Sequence, residues 1–139
     1  QTAMDFKGYF YIMSRQTGMV LDVRGSNHSD NAPVIIWHLK SGGMPESHLR
    51  NQLWTYNSSR DDELESRLNG FRLDVFEGNA YNGAEVVNHP ANFGPGQKWV
   101  FKSDGTIESG LEGQWVLDVE EGKTAPRTSV VVSLRKEGG

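Results

Sequence analysis

One tripeptide, Leu-Asp-Val, occurs three times in this chain, at residues 21–23, 73–75 and 117–119. An aliphatic residue, a serine and a glycine precede each copy in the same order. These positions are Ile12, Ser14 and Gly18 in the first copy, Leu64, Ser66 and Gly70 in the second, and Ile107, Ser109 and Gly113 in the third. A unit of about 45 residues is too small to bury its own apolar face, so three copies must share one core.

Each copy has the composition of short strands separated by turns. Residues 34–37 and 130–132 are rich in β-branched side chains, and residues 9–13 also have strand composition. Asn69-Gly70 is typical of a hairpin turn. We find no stretch with convincing helical periodicity. The sequence therefore predicts an all-β fold with pseudo-threefold symmetry, built from three four-strand repeats.

A Gln-x-Trp motif closes the first two copies, at residues 52–54 and 97–99. We expect one domain over residues 1–139, with repeats at about 8–57, 58–104 and 105–139. The third repeat reaches Gly139 before any Gln-x-Trp and is therefore expected to be truncated. Three explanations stay open: an incomplete sequence, which we favour, or replacement of the last strand by residues 1–6 or by a partner chain.

Composition restricts the classes of partner. The net charge of −4 and the pI near 5.5 disfavour nucleic acid or an anionic membrane surface as the main partner, because both attract clustered Lys and Arg. No apolar run approaches the roughly 20 residues of a membrane-spanning helix, so we expect no membrane insertion. The absence of cysteine excludes disulfides and thiolate chemistry, and leaves a cytoplasmic or a secreted location open.

Taken together, the three Leu-Asp-Val units, the strand at residues 35–37 and the closing motif with its preceding Asn51 resemble the ricin B-type lectins, which are β-trefoils. The resemblance covers residues 10–136, almost the whole chain. It implies a carbohydrate-binding function, with a shallow sugar pocket on each repeat. In such a pocket the aspartate accepts hydrogen bonds from sugar hydroxyls, and an aromatic residue fifteen positions later stacks on the sugar ring. An Asn before the Gln-x-Trp holds a further hydroxyl.

The first copy matches this pattern best, because Asp22, Trp37 and Asn51 are all present. It departs at Ile35, where the best-known sugar-binding copies of the family carry Gln. We include Gln52, and Gln97 of the second copy, among the residues of the carbohydrate sites, and interpret both as structural residues that bridge backbone groups beside the pocket. The first copy is therefore the leading candidate for a carbohydrate site.

The second and third copies match less well. In the second, Asp74 is followed fifteen residues later by His89, and Gly96 replaces the Asn before Gln97. Asn88 or Asn92 is a candidate to compensate for that loss. In the third copy Asp118 is present, but Ser133 replaces the aromatic residue. We expect the third copy to be the weakest site, with its aspartate serving the loop structure.

No catalytic or metal motif accompanies these residues. The four histidines do not have metal-ligand spacing, and we expect no metal, no cofactor and no enzymatic activity. The function that we expect is binding of glycans of the galactose or N-acetylhexosamine type, and a homo-oligomer is left open because shallow sites gain from multivalency. Two alternatives remain: a protein-interaction or structural trefoil that binds no sugar, and the targeting domain of a larger enzyme.

Overall fold

In a computed structural model, residues 8–40, 43–57 and 62–135 are described. They are built from short antiparallel strands joined by turns, several of which have 3₁₀ geometry. The strands are β1 (Val20–Val23), β2 (Ala32–Trp37), β3 (Trp54–Asn57), β4 (Glu63–Ser66), β5 (Arg72–Val75), β6 (Ala84–His89), β7 (Trp99–Phe101), β8 (Ile107–Ser109), β9 (Trp115–Val119) and β10 (Val130–Leu134). The 3₁₀ turns are Arg24–Ser26, Glu46–His48, Arg50–Gln52, Phe76–Gly78, Pro95–Gln97 and Glu120–Gly122.

Three hairpins, β1/β2, β5/β6 and β9/β10, form a closed ring of contacts. In each hairpin the aspartate of Leu-Asp-Val pairs with the strand that follows the turn. Strand β6 pairs with both β2 and β10. The ring closes where Ile35 bridges Ser129. Equivalent parts of the three copies therefore meet each other around one axis.

A second layer of hairpins, β3/β4 and β7/β8, links one repeat to the next. Strands β3 and β7, which close the first two repeats, each begin with a tryptophan that pairs with a serine. Trp54 pairs with Ser66, and Trp99 pairs with Ser109. Phe10 exchanges backbone hydrogen bonds with Trp54 and so joins the beginning of the described chain to this layer. This arrangement of two layers with threefold repetition is a β-trefoil, which confirms the predicted all-β fold.

The predicted strand at residues 9–13 is shorter in the structure than expected. Only isolated bridges form there, between Phe10 and Trp54 and between Met13 and Val20. The physical reason is that a strand at this position needs a neighbour on its other side, and the third repeat supplies no counterpart of β3 and β7 within the described residues. The proposed replacement by residues 1–6 lies outside the described residues.

The core combines the same positions from all three repeats. Trp54, Trp99, Leu64 and Leu73 are fully buried, together with Val23 and Val75 of the first two Leu-Asp-Val strands, whereas Val119 of the third is partly buried against them. The indole N–H of Trp99 donates to the carbonyl of Leu73 over 2.9 Å, which satisfies its polar atom inside the core. None of the helical turns in the described residues has the length and apolarity that a membrane-crossing helix requires.

Among the described residues, no closing strand equivalent to β3 and β7 packs against the third repeat. An apolar groove of about 330 Å³ lies there, lined in part by Ile12, Ser14, Leu117 and Val119. Ser14, which is equivalent to the paired Ser66 and Ser109, borders this groove and is only half-buried. The groove therefore lies at the position that a third closing strand would occupy.

The shared core gives a test with two adjacent residues. Trp99→Ala should lower the free energy of unfolding by about 3–5 kcal/mol, because it removes a fully buried indole and leaves a cavity. Val100→Ala should change it by less than about 0.5 kcal/mol, because this neighbouring side chain points outward and is 42% exposed. Urea denaturation measures both, and equal effects would contradict the burial described here.

Candidate functional site

Asp22 forms the floor of the candidate site in the first repeat. It lies on β1 and is only 3% exposed. Its Oδ1 accepts a hydrogen bond from Asn51 Nδ2 at 2.9 Å, and its Oδ2 accepts one from Gln52 Nε2 at 3.0 Å. Burial raises the pKa of Asp22, and the hydrogen bond from Gln52 opposes that shift. The carboxylate is thus held in one orientation by two amides.

These two amides are presented by the 3₁₀ turn Arg50–Gln52. Besides binding Asp22, the Gln52 amide donates to the His38 carbonyl and its Oε1 accepts from the Lys40 backbone N–H. Gln52 therefore joins the closing turn to the Leu-Asp-Val strand and to the chain after β2. The structure thus places Gln52 between the Asp22 carboxylate and two backbone groups beside it.

The Asn51 side chain makes more hydrogen bonds within the protein than the family resemblance implied. Its Nδ2 donates both to Asp22 and to the Val23 carbonyl, and its Oδ1 accepts from Lys40 Nζ at 3.1 Å. An amide nitrogen has two hydrogens, so no donor remains for a sugar hydroxyl. Within this geometry Asn51 orients Asp22, and its oxygen is bonded to Lys40 Nζ.

Above the carboxylate lies an open depression of about 370 Å³. Trp37 forms one wall and is half-buried, so part of its ring is available for contact. The structure thus brings Asp22, Trp37 and Asn51, the residues that the family resemblance singled out, together around one depression. The lining residues are Asp22, Arg24, Gly25, Ser26, Ile35, Trp37, Lys40, Asn51 and Arg127.

Three of the lining residues were missed by sequence reasoning: Arg24, Lys40 and Arg127. Arg127 comes from the third repeat, and its Cζ lies 5.4 Å from the centre of the Trp37 ring. Its backbone N–H donates to the Ile36 carbonyl, which fixes this cross-repeat contact. Comparing equivalent loop positions between repeats could have singled out Arg127, because it stands nine residues after its aspartate, where the first repeat has Asn31.

The second repeat has the Asp–Gln contact of the first repeat but has glycine at the position of Asn51. Asp74 is 5% exposed, and its Oδ2 accepts from Gln97 Nε2 at 3.0 Å. The same amide donates to the Pro90 carbonyl, and Gln97 Oε1 accepts from the Asn92 backbone N–H. Burial raises the pKa of Asp74, while the hydrogen bond from Gln97 and the nearby His89 oppose the shift. The Asp–Gln contact is therefore common to both repeats.

Asn88 and Asn92 were the residues expected to compensate for the missing Asn of the second repeat, and the structure gives them different hydrogen-bond partners. Asn88 is fully buried on β6 and donates to Asn69 Oδ1, so the structure does not bring it to Asp74. Asn92 serves the loop, because its Oδ1 accepts from the Gly94 backbone N–H. An aromatic side chain overlooked in the sequence, Phe76, follows Asp74 by two residues and is 39% exposed.

Gly96 explains why no side chain replaces Asn51 in the second repeat. A Cβ atom added at Gly96 would lie 2.9 Å from Asp74 Oδ1 and 3.3 Å from the Gly78 Cα. The turn Pro95–Gln97 therefore packs its backbone directly against the carboxylate. The glycine is required by this close approach, and it shapes a different rim around Asp74.

The third repeat holds its aspartate in another way. Asp118 is exposed, its Oδ1 accepts from the Val119 backbone N–H at 2.8 Å, and its Oδ2 accepts from Ser133 Oγ at 2.7 Å. No glutamine from a closing turn reaches it within the described residues. Ser133, at the position of Trp37, thus binds the aspartate itself. Asp118 has the local structural partners that were expected of the weakest copy.

The described part of the chain contains no cluster of three or more His, Asp or Glu side chains that could hold a metal ion. The candidate site is therefore a set of hydrogen-bonding groups and an aromatic wall. Such a set can bind a polar ligand that has hydroxyl groups on one edge and C–H groups on a face.

Comparison with known proteins agrees with this geometry. The family model described as the ricin-type beta-trefoil lectin domain matches residues 8–139. The designed threefold-symmetric protein ThreeFoil is 29% identical, with a TM-score of 0.78 over 95% of this chain and 93% of that one. The C-half of the earthworm R-type lectin, solved in complex with GalNAc, is 25% identical, with a TM-score of 0.74 over 95% of this chain and 92% of that one.

A more distant structure shares the fold. The ricin B-like lectin of Macrolepiota procera, solved in complex with lactose, is 22% identical, with a TM-score of 0.73 over 99% of this chain and 93% of that one.

The close approach at Gly96 can be tested by substitution. Gly96→Ala should lower the free energy of unfolding by about 1–3 kcal/mol, because the new methyl group overlaps Asp74 Oδ1. Gly8→Ala is the matched control, since a Cβ atom there meets nothing within 4 Å. Thermal or urea unfolding measures both variants, and a Gly96→Ala protein as stable as the control would disprove this packing.

Proposed function

The chain belongs to the ricin-type β-trefoil lectin family, and from this membership we propose that it binds glycans of the galactose or N-acetylhexosamine type through its first repeat. The observation that carries the proposal is the Asp22 carboxylate, which two amides hold beneath a depression walled by Trp37. The complexes of the earthworm lectin with GalNAc and of the Macrolepiota procera lectin with lactose support the choice of sugar class.

The chemistry of the site supports a sugar ligand. Each carboxylate oxygen of Asp22 can accept about two hydrogen bonds, and each has one partner among Asn51 and Gln52. The remaining lone pairs can accept from a pair of adjacent sugar hydroxyls. The exposed part of Trp37 can cover the C–H face of the same ring through dispersion and apolar burial.

The second repeat is proposed as an additional, weaker site. Asp74 keeps its bond from Gln97, and His89 lies near enough to affect the Asp74 pKa. His89 offers less stacking area than an indole, while Phe76 adds an exposed ring on the loop after Asp74. Single shallow sites of this kind have millimolar to high micromolar dissociation constants, roughly, so useful affinity requires several sites or several subunits.

A substitution pair tests which aspartate binds the sugar. Asp22→Asn should weaken binding about tenfold or more on a glycan array and in titration calorimetry, because it removes charge-assisted hydrogen bonds. Asp118→Asn is the matched control and should leave binding nearly unchanged, since this exposed carboxylate already binds Ser133. Circular dichroism verifies the fold of both. Unaltered binding in Asp22→Asn would place the site elsewhere, and a wild-type array without binding would reject the function.

The pH dependence of binding follows from the raised pKa of Asp22. Sugar binding should decline as the pH falls, with a midpoint above the usual range of an aspartate, because the protonated acid loses its charge. Unfolding does not cause this loss. A carboxyl whose folded-state pKa exceeds the unfolded one stabilises the fold more when protonated, so its contribution to stability increases over the same window. Calorimetric titrations at several pH values measure the midpoint, and pH-independent binding down to the ordinary aspartate pKa would contradict the prediction.

A further inference from the structure

We propose that the depression of the first repeat selects glycans that carry an anionic substituent, a sulfate ester or a carboxylate, next to the sugar bound by Asp22. This inference rests on the proposed glycan-binding function and specifies the class of ligand for that same site. It follows from the charges around the depression and from the backbone of Arg127.

Cationic side chains surround the depression. Arg24, Lys40 and Arg127 line it, and Asp22 is the only acidic residue among its lining residues. None of these three cations forms an ion pair with a carboxylate of the described residues, whereas other arginines of the chain, such as Arg50 and Arg72, do. The chain as a whole has a net charge of −4, so this cluster is opposite in sign to the rest of the molecule. An anion placed here would meet unpaired guanidinium groups.

The backbone of Arg127 provides an independent argument. Its φ of +73° lies in the left-handed region, which disfavours long side chains. The equivalent positions of the other repeats, Asn31 and Gly83, have φ values of +61° and +88° and carry residue types that tolerate this conformation. Arginine at this position therefore has an unfavourable backbone conformational energy, because the fold imposes a positive φ there. The conformation places its guanidinium 5.4 Å from the Trp37 ring centre, at the edge of the sugar-binding depression.

The second repeat serves as an internal comparison. The positions equivalent to Arg24, Lys40 and Arg127 are Phe76, Asn92 and Asn31. That site therefore has no cation at any of the three positions. The positive charge is therefore present at the depression of the first repeat and absent from the equivalent positions of the second, so it is not a consequence of the shared fold. We infer a difference in ligand choice between two sites that share the same Asp–Gln contact.

The experiment compares lactose, sulfated lactose and sialyllactose by titration at low and high NaCl. The anionic derivatives, or one of them, should bind about three- to tenfold more tightly than lactose at low salt, because two exposed arginines contribute. This ratio should approach one at high salt, where exposed charges are screened. Preference for the sulfated derivative, the sialylated one or both identifies the anionic group.

Variants separate the arginines from a general effect of charge. The double variant Arg24→Gln with Arg127→Asn should reduce the ratio of anionic to neutral affinity to about one. Asparagine is chosen at position 127 because the equivalent residue of the first repeat, Asn31, also has a positive φ. Lys102→Gln, which removes an exposed cation that is not among the residues lining the depression, should keep the ratio. Equal binding of neutral and anionic sugars by the wild type, or a preference that survives in the double variant, overturns the inference. Absence of binding to all three sugars instead rejects the proposed function.

Discussion

The hydrogen bond from the Gln-x-Trp glutamine to the Leu-Asp-Val aspartate ties the end of a repeat to its middle. Gln52 and Gln97 make this contact at the same distance in the first two repeats. Two residues later a tryptophan enters the core, where its N–H reaches the carbonyl before the same aspartate. Buried polar groups require such partners, so the amide both closes the repeat and makes burial of the carboxylate tolerable. In the third repeat no such amide from the described residues reaches Asp118, and Asp118 is exposed.

The candidate site follows from this closure. Asp22 is buried because the turn Arg50–Gln52 packs over it, and burial raises its pKa. A carboxylate with few water contacts retains acceptor capacity that a ligand can use. The two amides restrict its rotation, so less conformational entropy is lost on binding. The same contact thus supports the fold and prepares the site in the first repeat.

Most of the fold could be predicted from the sequence, because the repeat shows the inward-facing positions three times. Trp54, Trp99, Val23 and Val75 lie at equivalent positions of the first two repeats and are fully buried in the shared core. Asp22, Trp37 and Asn51, which the family resemblance singled out, line the same depression. Asn88 could not be assigned in this way, because strand position alone does not distinguish a core-facing amide from one at the surface. Arg127 was missed because it reaches the site from another repeat.

The differences among the repeats lie mainly at positions whose backbone the fold fixes but whose side chains point outward. Asn31, Gly83 and Arg127 share a left-handed backbone, and Arg24, Phe76 and Glu120 share the position two residues after the aspartate. Core packing does not restrict the side chains at these two sets of positions. Each repeat can therefore carry a different charged or aromatic side chain beside its Leu-Asp-Val aspartate. Threefold symmetry in this chain therefore specifies the scaffold. Ligand selection depends on where that symmetry is broken, above all around Trp37, where two repeats contribute side chains to one depression.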